Sequence, residues 1–190
     1  MTTTLDRGES RAVAPTPPVR LSLTPKTTLA GQLDGAWWPC SRDLEAELPP
    51  LVDALAEPCG RITRAIVNPV RWPVVPHKVP VTGHTVHVGW FTEQDPDKMI
   101  LLSYSVGRWD LLVIPPETEP AAAARLMSAS TIPGSVLKAE GLLAADAVIR
   151  GAADERSRED AWETDGGAGM PPPGRPTGQR ISDAHTDSAR

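Results

Sequence analysis

Metal binding, hydrolysis and calcium binding each have residues in this chain that would suit them, and spacing decides against all three. Cys40 and Cys59 stand far apart, with no CxxC or HxxxH cluster between or around them. His84 and His87 fall on opposite faces of an expected strand, so zinc, which needs three or four converging ligands, finds none locally. Ser103, Asp110 and His87 carry the groups of a hydrolytic triad, and the expected hairpin sets Ser103 opposite Asp110. Yet Ser103 lies mid-strand, not on the sharp strand–helix elbow of GxSxG, and a Ser–Asp cross-strand bond explains the pair without catalysis. Glu93, Asp95 and Asp97 share one loop, but the calcium loop with its central glycine and closing Glu is missing. Asp95-Pro96 reads as a turn initiator in a solvated acidic loop. Neither GxGxxG nor GxxxxGK[ST] occurs, so no metal, cofactor or nucleotide-phosphate loop is expected.

Tryptophan is the distinctive residue. Aromatics make up only 4% of the chain, yet 6 of them are Trp, against 1 Phe and 1 Tyr. Trp37 and Trp38 are adjacent, so on an extended strand they face opposite sides, one into the core and one toward a cleft or interface. A buried indole N–H needs an acceptor, and Asp34, Asp43, Asn68 and Gln94 are the candidates. Trp and Arg are enriched at binding hot spots. The candidate binding residues are therefore Asp34, Trp37, Trp38, Arg42, Asp43, Trp72, Gln94 and Asp95. The expected function is a non-enzymatic binding or regulatory module for a partner protein or small molecule. The rival is a small cytoplasmic enzyme using Asp34, Asp43 or Asp95 as general acid–base, with a pKa shifted by nearby indoles.

These residues must be held by a scaffold, and the hydrophobic pattern outlines one. Val19–Leu23 alternates as a first strand, and Leu29–Trp38 reads as a second, interrupted at Asp34-Gly35. Ser41 is the expected N-cap of a helix whose apolar stripe runs through Leu44, Leu48, Leu51, Val52 and Leu55. Pro49-Pro50 predicts a kink or two short helices, and Pro58 with Gly60 ends the element. Arg61–Val67 is a β-branched run, and Val70–His77, carrying Pro73 and Pro76, suits an edge or irregular strand. Thr82-Gly83 as a hairpin turn pairs Val81 with His84, Val79 with Val86, His77 with Val88 and Val75 with Trp90 on one mostly apolar face. Val106-Gly107 as a second turn pairs Tyr104 with Trp109, Leu102 with Leu111 and Ile100 with Val113. Thr118 caps an expected helix to Ala129, and Val136–Ile149 forms the last. Strands, helix, strands, then helices predict an α+β fold: a single antiparallel, mostly hairpin-built sheet of about five to seven strands with two to three helices packed on it.

Composition sets the frame. The 190 residues, net charge −5, allow one domain with tails. Residues 1–18 and 151–190 are Pro-, Gly- or acid-rich and are expected to be disordered, leaving 19–150 as the α+β domain. The acidic balance argues against nucleic acid. No apolar run reaches the roughly 18–20 residues of a membrane span. Asp6 and Glu9 stand where a signal peptide is apolar, so a cytoplasmic location is expected.

The block Asp34-Gly35-Ala36-Trp37-Trp38-Pro39, followed by Ser41-Arg42-Asp43-Leu44, resembles a family of small actinobacterial proteins catalogued only as a domain of unknown function. Gly89-Trp90-Phe91, Gln94-Asp95-Pro96 and Leu111–Pro116 resemble it too, over roughly residues 19–130. With 4 Lys among 19 basic residues the chain is Arg-rich, as a GC-rich genome would make it. The resemblance implies no activity, ligand or catalytic residue.

Overall fold

The computed structural model describes residues 18–25 and 31–166. Seven strands form one sheet: β1 (Leu21–Leu23), β2 (Gly35–Trp37), β3 (Ile62–Val67), β4 (Lys78–Val81), β5 (His84–Trp90), β6 (Lys98–Ser103) and β7 (Gly107–Val113). Their order is β1-β2-β7-β6-β3-β5-β4. Helix α1 (Leu44–Cys59) follows β2, and α2 (Pro120–Ser130) and α3 (Ala139–Gly166) follow β7.

The α+β expectation holds, but the sheet is mixed rather than antiparallel. β2 pairs parallel to β7, and β3 pairs parallel to β5. A hairpin-based reading sees only neighbours in sequence, whereas both parallel pairs join strands separated by other elements. As a result β2, β3, β5 and β7 all end at the same edge of the sheet.

The first hairpin has the expected register, Val79 opposite Val86 and Val81 opposite His84, with Gly83 at φ 76° in the turn. Ladder pairing ends at Lys78–His87, though the Val88 N–H still donates to the His77 carbonyl at 2.9 Å. That alternation turns the Pro80 nitrogen outward, so the free edge lacks a donor there.

The second hairpin differs. Ser103 faces Gly107, Leu102 faces Arg108, Leu101 faces Trp109 and Met99 faces Leu111. Its loop is Tyr104-Ser105-Val106, closed by the Ser103 hydroxyl, which accepts from the Ser105 and Val106 N–H groups, each at 3.4 Å. Gly107 follows at φ 107°. The odd shift from the expected pairs puts Met99, Leu101 and Leu111 on one face and Ile100 and Leu102 on the other. Ser103 is not opposite Asp110, which faces Ile100, so the paper triad has no geometry.

Two cores flank the sheet. On one face α1 buries Leu44, Leu48, Leu51, Val52 and Leu55 with Trp37, Ile62, Ala65, Val79, Val86, Met99, Leu101 and Leu111. On the other, Leu126 of α2 and Ala139 and Leu142 of α3 pack with Leu33, Ala36, Leu112 and Ile114. α1 is one helix through Pro49 and Pro50, and includes Pro58. Its N-cap is Asp43, not Ser41: the Asp43 carboxylate accepts from the Glu45 and Ala46 N–H groups at 3.0 and 3.3 Å. Ser41 instead donates to Glu47 at 2.8 Å. Residues Val70–His77 begin as a short 3-10 turn, Pro69–Arg71, and form no strand. Glu119, not Thr118, caps α2.

The chain divides into two compact units, residues 1–151 and 152–190. α3 runs to Gly166, past the boundary at 150 expected from composition. Residues 1–17 and 167–190, where the rest of the expected tails lies, are outside the described residues, as are 26–30, which include the start, 29–30, of the expected second strand. No helix among the described residues is long and apolar enough to cross a membrane.

Candidate functional site

The edge where β2, β3, β5 and β7 end gathers most of the candidate residues. In open sheets with parallel strands, crevices beyond the carboxyl ends are where ligands bind. Here the carboxyl end of β2 supplies Trp37 and the chain on to Arg42, and that of β3 leads to Asn68, Arg71 and Trp72. β5 leads to Gln94 and Asp95, and β7 to Pro115, Pro116 and Glu117.

Most of these side chains are committed to holding the edge together. Trp37 is 1% exposed and stacks on Trp72, ring centroids 5.8 Å apart and planes 17° from parallel. Trp38 is half-buried, and the Arg20 guanidinium lies 3.6 Å above its ring while Arg20 Nε donates to the Trp38 carbonyl at 2.9 Å. The adjacent indoles face opposite cores, Trp37 buried and Trp38 half-buried. Among the described residues, none of the four expected acceptors takes an indole N–H, and Trp38 Nε1 is buried without a partner. Asn68 and Gln94 instead pin loops: Asn68 Nδ2 donates to the carbonyls of Thr92 and Gln94 at 3.0 and 2.6 Å, and Gln94 Nε2 to that of Lys98 at 2.6 Å. Asp95 accepts from the N–H of Asp97 at 3.0 Å and from that of Glu140, in the first turn of α3, at 3.1 Å.

The charged centre of the edge is Asp97, which the sequence suggested was solvated and which is 3% exposed. Arg71 Nη2 donates to Asp97 Oδ2 at 2.8 Å. Arg71 Nε lies 2.6 Å from Oδ1, a charge contact in which the N–H points off the oxygen. That carboxylate raises the Arg71 pKa further above its ordinary range. Arg42 Nη1 donates to the Arg71 carbonyl at 3.1 Å, and its other terminal nitrogen pairs with Glu117. The Glu117 carboxyl is held low by its own backbone N–H and, less strongly, by Arg42. The signal for this cluster was available: Arg71 follows a Pro-initiated turn, and Asp97 opens a strand apolar on both faces. The cleft between Arg42, Trp72, Asp97 and Pro115 has a volume of about 10 Å³, room for roughly one water.

Asp34 sits elsewhere, before β2. Its carboxylate accepts from the Asp110 N–H at 2.7 Å. Burial raises its pKa first; the Asp110 N–H acts against that, and the Asp110 charge adds to it. Asp110 is itself held by Arg108 Nε at 2.7 Å and Lys98 Nζ at 3.4 Å. Among the described residues no group of three or more His, Cys, Asp or Glu is placed to hold a metal.

Residues 20–130, from the first strand to the end of α2, match a family of unknown function, DUF5994. The chain belongs to that family. The match covers more than half of the chain and contains every candidate site residue; α3 lies outside it. No curated protein and no solved structure matches the chain. The DUF5994 domain is therefore the whole sheet with α1 and α2.

This edge leaves four large apolar side chains open to solvent. Val70 and Val74 are 75% and 73% exposed, and Phe91 and Trp90 are 61% and 41% exposed. Val70 and Val74 follow β3, and Trp90 and Phe91 close β5 beside it: the Phe91 N–H donates to the Val67 carbonyl at 3.1 Å, and the His77 ring lies 4.9 Å from that of Trp90. Reading the sequence for Trp singled out the buried indoles and passed over Trp90, because only burial separates them.

Proposed function

We propose that the DUF5994 domain is a non-catalytic binding module that docks a partner protein on the apolar patch of Val70, Val74, Trp90 and Phe91, with Arg42 at its rim. The observation that carries this reading is the exposure of four large apolar side chains on one edge whose polar groups are already committed to each other. Large apolar side chains exposed together at one sheet edge suit an interaction site. A cleft of about 10 Å³ at Arg42 and Trp72 offers no substrate a place beside the one carboxylate lining it, Asp97. The cytoplasm is our proposed location, supported by the free, exposed thiol of Cys40.

The test is affinity purification from an extract of the source cells with the native domain and with Val70→Glu and Phe91→Glu variants of unchanged circular dichroism. A partner held by the native domain and lost from both variants is the expected result. A co-purified metabolite that is converted on incubation, and left intact by Asp34→Asn, would establish the enzymatic alternative instead.

A further inference from the structure

Among the described residues, no element covers the second face of the sheet, away from α1, over β3, β5 and β4, and the register sets its side chains in rows. Lys78 is opposite His87, His87 is opposite Arg64, and Arg64 is opposite Leu102. One step along, Gly89 is opposite Ile66, which is opposite Ile100. With strands about 4.8 Å apart, the first row places three basic side chains within about 10 Å. All three are exposed, and none has an ion-pair partner among the described residues. Two uncompensated cations flank one imidazole there, while the protein as a whole is acidic, with net charge −5.

The rows border a groove of about 320 Å³, lined by Arg64, Ile66, Lys78, His87, Gly89 and Phe91 among others, with no carboxylate. That volume falls within the range of small-molecule sites. Gly89 keeps the floor open: a Cβ there would meet only Ile66 Cγ1, at 4.0 Å. Phe91 supplies an exposed aromatic wall.

We infer that this groove binds a phosphate monoester of a flat, apolar ring system. The Lys78 and Arg64 cations, with the His87 imidazole between them, suit the free oxygens of a phosphate monoester, and the Gly89–Ile66 floor beside Phe91 takes the ring. The site is separate from the docking patch except for Phe91, and does not depend on the partner reading.

The experiment is titration of the full chain with phenyl phosphate and, separately, with inorganic phosphate, followed by amide ¹H–¹⁵N NMR. Phenyl phosphate is expected to shift Gly89, Ile66 and His87 and to bind about tenfold or more tightly than inorganic phosphate, one decade being about 1.4 kcal/mol. Arg64→Gln is expected to weaken both ligands. Gly89→Val places its Cβ in ordinary contact with Ile66, at 4.0 Å, and suits a strand; it is expected to abolish the preference for phenyl phosphate while leaving the rest of the spectrum in place. No saturable shift at these residues up to about 10 mM ligand, or phenyl phosphate binding unchanged in Gly89→Val, overturns the inference.

Discussion

Asp34 shows how a single side chain couples protonation to the fold. Its pKa lies above the ordinary aspartate value, chiefly because it is partly buried. The folded state then holds this proton more tightly than the unfolded chain does. Its contribution is complete below the unfolded pKa, about 4, and is lost as pH rises through the raised folded value. Asp34→Asn keeps an oxygen for the Asp110 N–H and removes the charge. Urea midpoints of this variant are expected to fall less between pH 4 and pH 7, about the window involved, than those of the native protein. Asp34→Ala leaves the Asp110 N–H without its acceptor and should cost about 1–3 kcal/mol. At this scale the sequence was a partial guide. It marked Asp34, Trp37, Arg42 and Gln94 as unusual, and each does make a specific contact. It could not tell a Trp stacked under a sheet from one on its rim, because residue type carries no record of burial.

Among the elements, the two hairpins explain why one register was legible and the other was not. β4 and β5 alternate cleanly, with Val79, Val86 and Val88 buried between exposed Lys78, Pro80, Thr85 and His87. A one-residue slip there would expose the whole apolar set. β6 and β7 carry Leu101-Leu102 and Leu111-Leu112, apolar on both faces: Leu101 and Leu111 enter one core, Leu112 the other, and Leu102 is half-buried. Such a pattern does not fix the phase, and the loop chemistry of Ser103 and Gly107 decides it. The β1–β2 pair rests on a similar local constraint. A Cβ on Gly35 would stand 2.2 Å from the Ser22 carbonyl oxygen and 2.9 Å from Leu23 Cα. Backbone on the facing strand cannot yield as a side-chain tip can. Gly35→Ala is expected to destabilise by about 3 kcal/mol or more, read as a lower denaturant midpoint. Gly83→Ala, in a turn with nothing near its Cβ, should pay only for its positive φ, about 1–2 kcal/mol.

For the molecule as a whole, what was hidden from the sequence is long-range. Parallel pairing depends on where distant segments meet, and local periodicity does not report that. The extent of α3 was hidden for a different reason: residues 152–166 have few large apolar groups, yet Ala, Glu and Arg are good helix formers without a core. Residues 147–162 are exposed throughout, Trp162 at 80%. A chain ending at Gly151 is therefore expected to unfold at the same temperature as the full chain, within about 2 °C by calorimetry.

The parallel β2–β7 pair also sets a timetable for synthesis. Ala36 and Trp37 are made early, but their partners Leu112 and Val113 leave the ribosome only after some 75 further residues. At about 5–20 residues per second that is a wait of roughly 4–15 s. Through that interval the Trp37 strand has β1 as its one sheet neighbour, and it lacks the Trp72 ring until β3 has passed. The nascent chain must therefore hold β2 with one edge open until the last strand, β7, arrives to receive it.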